Sequence, residues 1–296
     1  MSDFDDKVVV VTGAGGGLGR SHAIEFAKRG AKVLVNDLGG SVDGTGASAM
    51  ADAVVEEIRA LGGTAVANGD SVADKAGARN IIDDAVKAFG TVHILVNNAG
   101  ILRDKTFKKM SMEDFDLVMQ VHMMGSAYVT HAAWSLMYEQ RFGRIVFTSS
   151  GSGIYGNFGQ SNYGAAKMAM LGFMNVLALE GAGRNIKVNC LAPGAATRMT
   201  ATVPGRSTDV DDPDPARSPS LVSPAVLFMC GEDAPTGVTI NAAGGNFSRA
   251  QVMVNEGVQL GSDATYEDLE PLGERLLDMS GAKPRERRTP AKPAAS

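Results

Sequence analysis

At 296 residues, with 44% apolar side chains, the chain can bury a large single core, and its composition is ordinary for a globular protein. Its formal net charge of -5, with cations dispersed outside the last residues, argues against a general nucleic-acid binder. No run of about eighteen apolar residues marks a membrane span, and the acidic start Met1-Ser-Asp-Phe-Asp-Asp does not read as a secretory signal. Cys190 and Cys230 lie far apart in apolar segments, so two buried free thiols in a reducing, cytoplasmic compartment are expected, with no metal site.

Residues 7–12 form a continuous β-branched run, the mark of a strand buried on both faces of a parallel sheet. The run enters Gly13-Ala-Gly-Gly-Gly17-Leu18-Gly19, and residues 20–29 then carry apolar side chains at helical spacing. A glycine turn between a buried strand and a helix lets a pyrophosphate approach backbone amides at the helix's positive end. The next strand, 31–36, ends at Asp37, where a carboxylate can accept both ribose hydroxyls and repel a 2′-phosphate. NAD is therefore expected over NADP. Residues 39–46 are glycine-rich, and 49–61 read as a helix stopped by Gly62-Gly63.

A third strand, 64–68, leads to Asp70, positioned for an adenine amino group, and to Ser71, which equally fits a helix cap. A helix over 74–89 and a strand over 92–96 follow, the strand ending in Asn97-Asn98-Ala99-Gly100, small residues that let a cofactor ribose pass close to backbone. His93 alternates with apolar residues and reads as packed. Residues 111–141 hold one long helix or two joined ones.

A buried strand over 144–149 then runs into Ser150, and a helical pattern begins near Ser161. Tyr163 and Lys167 share a helix face, so the ammonium is expected to stabilise a phenolate and lower a pKa otherwise near ~10. The same spacing also fits a half-buried tyrosine beside a solvated lysine. Residues 165–183 are apolar round much of the helix, which suggests a buried inner face and a subunit contact outside. A sixth strand, 186–191, ends in Ala192-Pro193-Gly194. Residues 197–220, rich in proline and aspartate, read as a lid-like segment. A helix over 223–229, a strand over 238–241 and a basic disordered tail from 283 complete the chain, so one domain over 1–282 is expected.

Strands alternating with helices after a glycine turn imply an α/β doubly wound parallel sheet of Rossmann type, with helices on both faces. The joint pattern Thr12-Gly13-x-x-x-Gly17-x-Gly19, Asn97-Asn98-Ala99-Gly100, Ser150, Tyr163-x-x-x-Lys167 and Pro193-Gly194 resembles the short-chain dehydrogenase/reductase family over roughly residues 5–245. Within it, Val35-Asn-Asp37-Leu-Gly-Gly40, Asn98 to Asp104, Val121-His122 and Ser149 to Gln160 look like the (3R)-hydroxyacyl-CoA dehydrogenase domain of peroxisomal multifunctional enzyme type 2 and related bacterial hydroxyacyl-CoA or 17β-hydroxysteroid dehydrogenases.

That resemblance implies Ser150, Tyr163 and Lys167 as catalytic residues, with His122 as a relay residue where the broader family carries asparagine. It adds Leu18, Ser71, Val72, Asn98, Ala99, Gly100, Pro193, Gly194 and Thr197 to the NAD contacts, although Thr197 follows Pro193-Gly194 one residue sooner than is usual. It implies a homodimer or homotetramer acting on an acyl-CoA or steroid, with 17β-hydroxysteroid oxidation or a non-catalytic NAD(H)-binding regulator as the alternatives. No nucleic-acid or membrane partner is expected.

Overall fold

The computed structural model describes residues 3–39, 49–195 and 215–284. The first β-branched run forms β1 (Val8–Thr12), whose five side chains are all buried. Val9 and Val11 enter the core on one sheet face and Val10 the core on the other, as the two-residue period of a strand requires. Each fully buried valine stabilises the fold by about 1.5 kcal/mol or more relative to exposure. The other strands are β2 (Lys32–Asn36), β3 (Thr64–Asn68), β4 (Ile94–Asn97), β5 (Gly143–Thr148), β6 (Ile186–Gly194), β7 (Thr239–Ala243) and β8 (Asn246–Ala250).

Their order is β3-β2-β1-β4-β5-β6-β7-β8, with parallel pairing from β3 through β7. Helices α1 (Gly17–Ala27) and α2 (Met50–Ala60) cover one face, while α3 (Lys75–Phe89), α5 (Gly125–Gln140) and α7 (Ser161–Glu180) cover the other. This is the doubly wound fold. Because strand order reverses between β1 and β4, a crevice opens at the carboxyl ends of those strands.

Local chemistry sets the helix ends. Asp74 caps α3 by accepting from Gly77 N at 2.7 Å, and Gly90, with φ of +89°, ends it in the left-handed region. The helical pattern over 111–141 resolves into α4 (Met112–Met119), a π-helical turn over Gln120–Met124, and α5. Such turns occur often at functional sites, and this one carries His122. A short helix, α6 (Gly151–Tyr155), and strand β8 were not expected from the sequence.

At the opposite end of the sheet, at the start of the central strand β5, Arg144 is fully buried. Its Nε donates to Gly231 O at 2.9 Å, Nη1 to Gly143 O at 2.9 Å and Asn185 O at 2.8 Å, and Nη2 to Glu232 O at 2.9 Å. The guanidinium stacks 4.2 Å from the Phe142 ring centroid. Backbone carbonyls thus satisfy a buried cation that would otherwise be costly. His93 is packed there too, its Nδ1 accepting from Val8 N at 2.9 Å. Cys190 and Cys230 are both free and buried.

Contacts divide the chain into two compact units, Met1–Arg249 and Ala250–Ser296, where one domain to residue 282 was expected. In the second unit β9 (Met253–Val254) pairs antiparallel with β10 (Lys283–Pro284), so the first residues assigned to the tail belong to a strand. A helical turn, Tyr266–Leu269, carries a capping box between Thr265 and Asp268. Residues 285–296 of the tail, 40–46 of the glycine-rich segment and 197–214 of the lid-like segment, Thr197 included, lie outside the described residues. Among the described residues no helix is long and apolar enough to cross a membrane.

Candidate active site

A cavity of about 730 Å³ occupies the crevice at the carboxyl ends of the strands. The dinucleotide half is built by the turn between β1 and α1. Gly13 has φ of +62°, and a Cβ there would stand 2.6 Å from Ala99 Cα. Gly17, at φ +53°, and Leu18 line the cavity as expected. Gly19 does not line it: a Cβ there would meet Gly13 O at 2.3 Å and Asn98 Nδ2 at 2.6 Å, so this glycine serves packing beneath the turn.

Asp37 ends β2 beside that turn. Its Oδ2 accepts from Gly15 N at 2.7 Å and its Oδ1 from Gly39 N at 2.7 Å, which aims the carboxylate at the cavity. Asp70, Ser71 and Val72 line the wall, Asp70 accepting from Asn68 Nδ2 at 2.8 Å and Ser71 Oγ from Ala73 N at 3.2 Å. Asn98 donates its side-chain amide to Thr12 O at 3.1 Å and Gly13 O at 3.0 Å, tying β4 to β1. Thr12 Oγ1 reinforces the tie by accepting from Asn98 N and Ala99 N, each at 3.1 Å. Pro193 and Gly194 close the cavity at the end of β6.

Ser150, Tyr163 and Lys167 meet in the other half. The Ser150 hydroxyl lies close enough to the Tyr163 phenol to draw its pKa down, and Ser150 Oγ accepts from Ser152 N at 3.1 Å at the start of α6. Lys167, 2% exposed, donates from Nζ to Thr148 O, with Nζ 5.4 Å from the Tyr163 ring centroid. The sequence reading expected this amine to lower the phenol's pKa. Instead, burial pushes Tyr163 up to about 12, partly offset by Ser150 and helped by the nearby Asp104 charge. Burial likewise pushes Lys167 down to about 7. Desolvation is the largest cause of both shifts.

His122 lies in the same wall, fully buried, its ring edge-on to Tyr163 with centroids 5.2 Å apart. Burial, with Lys167 nearby, holds its pKa well below 6.5, so the imidazole is neutral. Nε2 lies 2.8 Å from Ile101 O and Nδ1 has no partner. Gly100 is required beneath it, because a Cβ there would stand 2.1 Å from His122 Cε1. Thr148, a second cavity-lining residue, also has a buried side-chain oxygen, Oγ1, without a partner.

Sequence reasoning missed a further wall. Gln160 donates from Nε2 to Asp104 Oδ2 at 2.6 Å, and Asn157 Nδ2 donates to Gln160 Oε1 at 2.8 Å. Burial raises the Asp104 pKa despite that bond. Asn157 and Gln160 line the cavity, but a pairing across 56 residues leaves no local signal.

The family model for short chain dehydrogenases matches residues 7–207. A short-chain type dehydrogenase/reductase of Mycobacterium tuberculosis is 49% identical over 287 residues, covering 96% of this chain and 98% of that protein. Peroxisomal multifunctional enzyme type 2 of Mus musculus is 54% identical over 230 residues, 77% of this chain and 30% of that protein. The full-length structure of peroxisomal multifunctional enzyme type 2 from Drosophila melanogaster superposes with a TM-score of 0.79 at 38% identity, over 96% of this chain and 47% of that one. The chain thus spans less than half of either multifunctional relative.

Proposed function

Since the chain belongs to the short chain dehydrogenase family, a family of oxidoreductases, we propose that it uses NAD to oxidise a (3R)-hydroxyacyl-CoA to the 3-oxoacyl-CoA. The observation that carries this reading is the meeting of Ser150, Tyr163 and Lys167 in one cavity with the glycine turn and Asp37. The residues fit a dinucleotide: two glycines hold left-handed backbone at the turn, a fixed carboxylate ends β2, and two cavity-lining residues, His122 and Thr148, each carry a buried polar atom without a partner. Gly13, Gly17, Leu18, Asp37 and the Asn98–Gly100 corner would hold NAD, with Asp70 to Val72 at the adenine end and Pro193-Gly194 at the nicotinamide end. When bound, the nicotinamide supplies the hydride acceptor.

The chain's own residues handle the proton. Tyr163, held protonated by burial, donates to a carbonyl oxygen in the reducing direction; in the oxidising one it gives up its own proton, for which the neutral form of the Lys167 amine is the acceptor, as it receives the alcohol proton. Ser150, close to that phenol, holds the reacting oxygen beside it. Lys167, near neutral charge balance at pH 7, can accept or release a proton behind the ring. His122 fixes the ring edge-on and extends the polar wall.

Likeness to the multifunctional enzymes supports the acyl-CoA substrate. Two buried free thiols suit a cytoplasmic setting. Exposed Met168 and Val176 on α7 suit the contact surface of a homodimer or homotetramer.

Tyr163→Phe should keep NAD(H) binding and lose at least about a hundredfold in turnover. Unchanged turnover would sink the assignment. A higher kcat/KM for a free 17β-hydroxysteroid than for a 3-hydroxyacyl-CoA would move the substrate to the steroid ring.

A further inference from the structure

Past Gly100 the chain leaves the cavity as Ile101-Leu-Arg103-Asp104-Lys105-Thr-Phe107-Lys108-Lys109, four cations against one acid in a protein of net charge -5. This segment is fastened to the loop between α6 and α7. Lys105 N donates to Gly159 O at 2.9 Å, Lys105 and Gln160 form a parallel bridge, and Ser161 Oγ lies 3.5 Å from Met110 Sδ. The two strands of chain therefore run side by side, and because Tyr155, Asn157 and Gln160 line the cavity, they form its rim.

The rim is both basic and aromatic. Asp114 pairs with both Arg103 and Lys105, at 3.3 and 2.9 Å, and offsets one of their two charges. Lys108 and Lys109 are exposed, and no ion pair ties either to a carboxylate among the described residues, Glu113 and Asp116 of α4 included. Phe107, which precedes them in the chain, is 69% exposed, and Phe158, next to the Gly159 that bonds Lys105, is 90% exposed. Aromatic faces held open to solvent next to free ammonium groups suit a base stacked on a ring with its phosphates on the lysines. A fatty chain alone would use the rings and leave the cations idle.

We infer that this rim binds the 3′-phospho-ADP portion of coenzyme A, with Lys108 and Lys109 on its phosphates and Phe158 and Phe107 against its adenine. The inference rests on the acyl-CoA reading of the substrate. It adds a second nucleotide subsite, distinct from the glycine turn, from which a pantetheine arm reaches Ser150 and Tyr163. The lysines set affinity for the CoA form of a substrate and have no part in proton transfer.

Two measurements on the full chain test it. Free CoA is titrated calorimetrically into protein saturated with NAD⁺, for the unmodified chain, Lys108→Ala/Lys109→Ala and Phe158→Ala. CoA should bind the unmodified chain and bind the double lysine variant about tenfold more weakly, as two exposed charge contacts allow. Phe158→Ala should weaken it about fivefold or more, as loss of one stacked base allows. No binding of CoA, or equal binding by all three, overturns the inference whatever the enzyme's activity.

Steady-state rates with one 3-hydroxyacyl group carried on CoA or on pantetheine then locate the effect. In the double variant KM should rise about tenfold for the CoA ester alone, with kcat unchanged. Equal changes for both esters overturn the inference. If neither ester is turned over, the substrate reading fails while the titration still decides the rim. Preferential loss of turnover on an acyl carrier protein would assign the surface to that protein and overturn the CoA assignment.

Discussion

Replacing Lys167 with methionine removes a buried amine while keeping a side chain of similar length. The residue is 2% exposed, and its pKa falls from 10.5 to about 7 through burial. At ~1.36 kcal/mol per pH unit, a charged Lys167 costs about 5 kcal/mol, and at pH 7 about 4 kcal/mol remains. Losing the bond to Thr148 O offsets about 1 kcal/mol. Lys167→Met should therefore unfold about 3 kcal/mol less readily at pH 7, while losing turnover.

The pH dependence fixes the cause. Between about 7 and 10.5 the unfolded lysine holds a proton that the folded one has released, so the parent's stability rises with pH across that window. The variant lacks this slope. Cys230 and Tyr163 titrate alike in both proteins, and Cys190, whose pKa the Lys167 charge lowers, faces a lysine that is largely neutral across this window, so the difference reports chiefly on Lys167. Urea unfolding at pH 7 and pH 9.5 should show the gap shrinking from about 3 kcal/mol to within about 1 kcal/mol. A gap that stays constant would show that Lys167 is not held neutral by burial.

Gly100→Ala places a methyl 2.1 Å from His122 Cε1 and should cost about 1–3 kcal/mol in urea unfolding; Gly100→Ala/His122→Ala should recover most of it, and simple additivity would count against the clash. His22 is buried with its pKa lowered to about 3 and its Nδ1 2.8 Å from Ser223 Oγ. Its contribution is present above pH 6.5 and lost as pH falls towards 3, about 2 kcal/mol by pH 5, a slope that His22→Gln should remove in thermal melts. Asp37→Ser should shift the NAD-to-NADP affinity ratio about tenfold towards NADP in fluorescence titrations, and an unchanged ratio would remove Asp37 from ribose recognition.

Much of this architecture was legible because parallel strands buried on both faces write continuous β-branched runs. The run over 7–12 became Val8–Thr12, and 64–68 became Thr64–Asn68. The helix stop at Gly62-Gly63 was equally local, Gly62 having φ of +82°. The π-helical turn was not, since one extra residue per turn leaves the apolar pattern almost unchanged. The glycine-rich sequence Gly151–Tyr155 concealed α6, which forms because the Ser150 hydroxyl caps it.

At the site, Ser150, Tyr163, Lys167 and the glycine turn stood where spacing put them, but the charge state of the phenol and amine depends on how deeply the fold buries both. Gly19 reads in sequence as a ligand glycine and serves as a packing one. Asp104 and Gln160 come together only once strands and loops have assembled.

The Arg144 guanidinium links parts of the chain that meet late. Its acceptors at Asn185, Gly231 and Glu232 lie 41, 87 and 88 residues away, so none is in place until β6 and the segment after the helix at Ser223–Phe228 have docked. Contacts of such long sequence separation carry large loop-closure costs and tend to form after the barrier to folding. Arg144 should then act as a latch on the finished sheet: its loss would accelerate unfolding far more than it slows folding. The end of the sheet away from the crevice would thereby set how long a folded molecule lasts, while the crevice sets what it does.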